Sequence, residues 1–88
     1  MPIQGADLAQ LRELAAKFDG QAGQLEGIIA DLQNATRTSG EFWKGGKADT
    51  FRTEWDGVKP LFDRFVQTLR DAGQAARTNA DNIERATN

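Results

Sequence analysis

The chain has 88 residues, a net charge of −2 and no Cys, His or Tyr. The lack of Cys and His excludes disulfides and thiolate or imidazole metal ligands. It also leaves Ser39, the single serine of the chain, without the usual general base. The acidic balance argues against nucleic-acid binding. From the length and the missing residue types together, we expect one small domain that is not an enzyme and needs no cofactor or metal.

The N-terminal segment, MPIQGADLAQ, resembles neither a signal peptide nor a membrane span. It has no basic head and no apolar run of about 7–15 residues. By the ordinary rules of export, the protein would stay in the cytoplasm, without stable membrane insertion.

The first part of the chain carries apolar and small residues at alternating intervals of three and four, which indicates one long amphipathic helix. This stripe comprises Leu8, Leu11, Ala15, Phe18, Ala22, Leu25, Ile29 and Leu32. Asp7 and Gln10 have the spacing of a capping box at the helix start, and Gly40 is a natural stop. We predict helix 1 over about 7–37.

The same alternation resumes after a glycine-rich segment and predicts a second helix over about 47–86. Its stripe comprises Ala48, Phe51, Trp55, Val58, Phe62, Phe65, Leu69, Ala72, Ala76, Asn79 and Ile83. Pro60 interrupts this helix and removes one backbone hydrogen bond. Because the heptad phase continues past it, we expect a kink near Pro60 rather than a helix end.

Two long helices joined by a short turn, about 38–46, pack antiparallel, so the predicted fold is an all-α helical hairpin over 1–88. The hairpin has more apolar surface than one seam can bury, because large side chains flank both stripes at Leu14, Ile28, Leu61 and Val66. Burial of these four residues is worth on the order of 6–12 kcal/mol. We therefore expect two hairpins to pair into a four-helix bundle; the alternative is a monomer.

The predicted turn contains Trp43 between Gly40 and the pair Gly45-Gly46. The indole can cap the open end of the hairpin, or remain partly exposed as a docking group, and the two roles are compatible. A small basic cluster surrounds it, formed by Arg37, Lys44, Lys47 and Arg52. We interpret this cluster as a solvated loop, and Trp55 as a core or interface residue.

The turn and the start of helix 2 carry a family resemblance. Trp43, Gly45, Ala48, Phe51 and Trp55 follow the pattern W-x-G-x-x-A-x-x-F-x-x-x-W. With its hairpin layout, the chain resembles the WxG family of early-secreted-antigen-type proteins, over essentially its whole length.

The resemblance implies a dimer and an export route. Family members form homodimeric or heterodimeric four-helix bundles and leave the cell folded, without a cleaved signal peptide, through type VII (ESX-like) secretion systems. Trp43 and Gly45 would form the turn and part of an export signal that the secretion ATPase recognises. Outside the cell, members act as small effectors or as partners of other substrates. The residues we expect in the core or the interface are Leu8, Leu11, Leu14, Phe18, Leu25, Ile28, Ile29, Leu32, Phe51, Trp55, Val58, Leu61, Phe62, Phe65, Val66 and Leu69.

The tail departs from the family pattern. Many members carry Y-x-x-x-D/E after helix 2, whereas this tail reads RTNADNIERATN. This favours a partner subunit that carries the motif, or a longer natural C-terminus. It also favours a second hypothesis, a cytosolic adaptor that pairs with the helical leader of a larger type VII substrate or toxin. A DNA-associated bundle is a third class, which the acidic balance opposes.

Overall fold

The protein is an antiparallel hairpin of two long helices, as predicted. The computed structural model describes residues 2–87, with side chains from position 8 onward. Helix α1 spans Pro2–Thr38 and helix α2 spans Gly46–Thr87, and a short 3-10 helix, Ser39–Glu41, follows α1. The molecule measures 64 × 16 × 15 Å. Its long dimension agrees with the roughly 63 Å expected for the 42 residues of α2 at 1.5 Å each.

Helix α1 begins five residues before the predicted cap. Pro2 occupies its first position, where proline is favoured because its fixed φ suits the helix and its missing N–H has no intrahelical acceptor. Asp7 therefore lies inside the helix, so the expectation that it caps the helix is wrong; its side chain lies outside the described residues.

Helix α2 continues through Pro60 as a single element. Pro60 and Asp56 are both exposed. The carbonyl of Asp56 loses its helical donor to the proline, so this missing hydrogen bond belongs to an exposed residue. The kink expected at this point stays a prediction.

Small side chains dominate the seam between the helices. The buried residues are Ala15, Ala22, Ile29, Thr36 and Ser39 before the turn, and Ala48, Trp55, Val66, Gly73, Ala76 and Ala80 after it. Alanine and glycine let two helix backbones approach closely, so the seam is narrow. Large residues of the predicted α2 stripe, among them Phe51, Phe62 and Phe65, consequently lie outside it, whereas Val66, expected on the flank, is buried.

Charged pairs cross the helices along one flank of the seam. Arg12 bonds to Asp81 and Glu84 at 3.0 and 3.2 Å. Further along the rod, Asp19 pairs with Arg77, and the two Glu26 carboxylate oxygens accept bonds of 3.0 and 3.1 Å from Arg70. The hydrogen bonds and charge of Arg70 hold the pKa of Glu26 below its ordinary 4.5, and Glu26 raises the pKa of Arg70 in return.

Large apolar side chains lie on the other flank. Leu14 and Ile28 each precede a buried seam residue by one position, so they are rotated about 100° away from the seam. Asp19 and Glu26 each follow a buried seam residue by four positions, so they are rotated about 40° in the opposite direction. The same offsets hold on α2 for Phe65 and Arg70 around Val66. We call the exposed set the apolar face; it comprises Leu14, Ile28, Leu32, Phe51, Val58, Leu61, Phe62 and Phe65, which are 38–55% exposed.

Candidate functional site

The turn at the tip of the hairpin is closed by backbone hydrogen bonds. The carbonyl oxygen of Ser39 accepts bonds from the amides of Phe42 and Trp43 at 3.1 and 2.8 Å. Gly45 then adopts φ = 109°, a left-handed conformation that favours glycine, because other residues bring their Cβ into conflict with the backbone. The carbonyl of Gly45 accepts the Asp49 amide at 3.1 Å and so opens α2. The reversal therefore requires glycine at position 45, while Gly46 is already helical.

The indole of Trp43 lies against the first turns of α2. Its ring centroid is 5.7 Å from that of Phe51, with the planes inclined at 39°. The guanidinium carbon of Arg52 lies over the indole, 5.9 Å from its centroid. These contacts leave Trp43 40% exposed. The ring thus covers part of the hairpin end while presenting the rest to the surroundings, in keeping with both roles expected for it.

Arg52 is bound into the turn. Its guanidinium donates to the carbonyl oxygen of Trp43, to Ser39 Oγ at 3.4 Å and to Asp49 at 3.5 Å. Its Nε is buried and has no hydrogen-bond partner within the described residues. The interpretation of the basic cluster as a solvated loop therefore does not hold for Arg52. Its role depends on the path of the turn, so no local sequence signal identifies it.

Phe42 is a second aromatic residue at the tip, and it lies outside the periodic stripes of both helices. It is 76% exposed, more than Trp43 beside it. Its position directly before the tryptophan of the motif is the signal that would have drawn attention to it. The tip therefore presents two neighbouring aromatic rings.

Trp55 belongs to the interior of the hairpin. It is 6% exposed, and its indole Nε1 donates to Gln33 Oε1 on α1. The ring of Phe62 lies 6.2 Å away and extends the aromatic contact toward the apolar face. The two tryptophans thus occupy different environments, one buried in the seam and one half-exposed at the tip.

The structure divides the predicted core or interface residues into three groups. Ile29, Trp55 and Val66 are buried, and Leu8, Leu11, Phe18, Leu25 and Leu69 are half-buried beside the seam. The other eight form the exposed apolar face. Side by side along the rod, they make a surface from both helices.

The described residues form neither a metal centre nor a membrane span. No group of three His, Cys, Asp or Glu residues among them is close enough to hold a metal ion. None of the helices within residues 2–87 is sufficiently long and apolar to cross a bilayer. A notch of about 390 Å³ near the tip is lined by Gln33, Thr36, Arg37, Gly40, Arg52, Trp55 and Asp56.

Comparisons with known proteins agree with this architecture. An uncharacterized protein of Bacillus subtilis, YfjA, is 27% identical over 78 residues, which cover 89% of this chain and 75% of the relative. An ESAT-6-like protein of Streptococcus agalactiae is 28% identical over 75 residues, covering 85% of this chain and 78% of the relative. The crystal structure of EsxA from Geobacillus thermodenitrificans superposes with a TM-score of 0.84 at 21% identity, over 91% of this chain and 87% of that one.

The family described as proteins of 100 residues with WXG, WXG100, matches residues 5–87. The match includes both helices and the turn that carries Trp43 and Gly45. The chain therefore belongs to the WXG100 family.

Proposed function

We propose that this protein is a non-catalytic helical hairpin that a type VII, ESX-like secretion system exports as a dimer. After export it acts as a small effector or as the co-secreted partner of another substrate. The observation that carries the proposal is the half-exposed indole of Trp43 on a turn that needs glycine at position 45. The absence of His and Cys from the sequence supports a role in binding rather than catalysis.

The proposed dimer uses the apolar face. Each of its large side chains contributes about 1.5–3 kcal/mol when fully buried, and the ion pairs on the other flank are already satisfied within one hairpin. Packing two apolar faces together gives a four-helix bundle, in which all four helices bury a second stripe. The partner is a second copy of this chain or another protein of the WxG type.

The proposed export signal lies at the tip, and its receptor is the secretion ATPase. Trp43 is well suited to this role because tryptophan contributes strongly to binding when a pocket covers it. In the proposed heterodimer this chain contributes Trp43, and the partner contributes the Y-x-x-x-D/E tail motif. The protein is cytoplasmic before export and extracellular afterwards.

Export is tested by expressing the chain with its genomic neighbour in the native host and fractionating the culture. We expect the protein in the medium when the secretion system is intact, and in the cytosol when the secretion ATPase is deleted. Retention in the cytosol of the intact strain would contradict the proposal. A cytosolic marker enzyme in the same fractions controls for lysis.

A second candidate function is a cytosolic adaptor, whose exposed apolar face pairs with the helical leader of a larger type VII substrate. The adaptor stays in the cytosol while the larger protein is exported, which separates the two functions in the same fractionation. The solution mass of the purified chain at several concentrations shows whether the chain pairs with itself or needs a different partner. A stable dimer or tetramer indicates self-association, whereas a monomer or an unfolded chain indicates an obligate partner.

A further inference from the structure

We propose that Arg52, with Phe51, is a positioning residue that holds the indole of Trp43 in one orientation, so that the tip is ready to dock before any partner arrives. This inference rests on the proposed role of the tip in export. It assigns the positioning to two neighbouring residues of α2.

The contacts of Arg52 fix the turn as well as the ring. One nitrogen of the guanidinium donates to the backbone carbonyl of Trp43, and the same nitrogen reaches Ser39 Oγ in the short 3-10 helix that follows α1. A single side chain therefore connects two residues of the turn, Ser39 and Trp43, to α2. Its planar fork allows several bonds at fixed angles, which a lysine ammonium does not reproduce.

Phe51 and Arg52 both contact the indole and restrict its movement. The phenyl ring contacts it at a centroid distance of 5.7 Å, and the guanidinium lies 5.9 Å from the indole centroid, within the range of cation–π attraction. Rotation of Trp43 to another rotamer would lose both contacts. A docking group that is already ordered avoids the conformational entropy that an unrestrained side chain loses on binding.

The contrast with Phe42 supports this assignment. Phe42 adjoins Trp43 in the same turn and is 76% exposed, against 40% for Trp43. The difference arises from the contacts of Trp43 with α2. The ordering of Trp43 therefore depends on specific neighbours, and these neighbours can be removed one at a time.

The orientation of the indole is measured by 19F NMR on the full chain labelled with 5-fluorotryptophan. The protein has two tryptophans, so Trp55 supplies an internal reference from the buried seam. We expect Arg52→Gln and Phe51→Ala to move the Trp43 resonance toward its unfolded position, to move the Trp55 resonance less, and to leave the helical circular dichroism unchanged. Arg52→Lys should restore the resonance in part. Lys47→Gln, which removes a positive charge from the same region, should have no effect.

Docking is measured by export of the same variants. Releasing the indole from Arg52 is expected to weaken binding at the tip by roughly two- to ten-fold, because the side chain must then be ordered on binding. Arg52→Gln should therefore lower the exported fraction by less than Trp43→Ala does. An unchanged Trp43 resonance in both Arg52→Gln and Phe51→Ala overturns the positioning. A shifted resonance with normal export of Arg52→Gln, while Trp43→Ala is retained, overturns its importance for docking. Normal export of Trp43→Ala itself counts against the proposed export signal, and the resonances still decide the positioning.

Discussion

Gly73 on α2 lies so close to α1 that a Cβ at this position would be 2.7 Å from Asp19 Oδ1 and 3.3 Å from the carbonyl oxygen of Ala15. The Asp19 carboxylate is also the partner of Arg77. The glycine therefore permits both the close approach of the two helices and an ion pair across them. A side chain at position 73 would displace the carboxylate and press on the backbone of α1.

We expect Gly73→Leu to lower the free energy of unfolding by about 1–3 kcal/mol, because the added side chain overpacks the seam. Urea denaturation at a fixed protein concentration measures this change. The matched control is Gly23→Leu on α1, where an added Cβ meets nothing within 4 Å. That variant should gain roughly 0.5–1 kcal/mol from the better helix propensity of leucine. Equal effects of the two substitutions would contradict a specific role for Gly73.

The hairpin was predictable because its signals are local. Two heptad patterns flank a glycine-rich segment, and Pro60 does not interrupt the second pattern. The division of the apolar residues between the seam and the exposed face was not predictable. Residues of both surfaces follow the same three-and-four spacing, and by size alone Phe51 and Phe62 are better core candidates than alanine or glycine. Because the two helices lie close together, small residues such as Ala22 and Gly73 fill the seam instead. The distance between the helix axes depends on both helices, so neither helical pattern alone predicts it.

The candidate site was predictable in its motif and unpredictable in its contacts. Trp43 and Gly45 are identified through the resemblance of the chain to the WxG family, and the positive φ of Gly45 is what a tight reversal requires. The bond from Arg52 to the Trp43 carbonyl joins residues nine positions apart across the turn. It depends on the path of the backbone between them, which no periodic pattern encodes.

The apolar face predicts a substitution that separates association from folding. Leu61 and Phe65 are 55% and 52% exposed, so Leu61→Glu or Phe65→Glu leaves the seam intact. A carboxylate at the centre of an association surface loses water without gaining a partner, so we expect either variant to weaken the oligomer strongly. Sedimentation equilibrium measures the mass, and circular dichroism checks the helices. Gln74→Glu, at an exposed position on the charged side of α2, is the control and should keep the mass of the unmodified protein.

The pair Glu26–Arg70 predicts an acid-dependent loss of stability. The pKa of Glu26 is lower in the folded protein than its ordinary 4.5, so its stabilising contribution is fully present above that pH and is lost as the pH falls through the folded pKa. Denaturation of the wild type and Glu26→Gln at a series of pH values should give curves that differ at neutral pH and converge in acid. The difference should also shrink at high salt, because the pair is exposed. A difference that stays constant below pH 4 would show that Glu26 acts through packing rather than charge.

The two tryptophans predict opposite phenotypes. Trp55 is buried and bonded to Gln33, so Trp55→Ala should cost about 3–5 kcal/mol of unfolding free energy. Trp43 loses fewer contacts, so Trp43→Ala should cost only about 0.5–1.5 kcal/mol and yet abolish export of the folded protein. Trp55→Phe, which keeps an aromatic ring but is smaller than the indole and lacks its hydrogen bond, is the control; it should be exported and cost less stability than Trp55→Ala. Thermal denaturation and fractionation of the same strains provide both readouts. Export of folded Trp43→Ala at the level of the wild type would mean that the indole at the tip serves only to cap the hairpin.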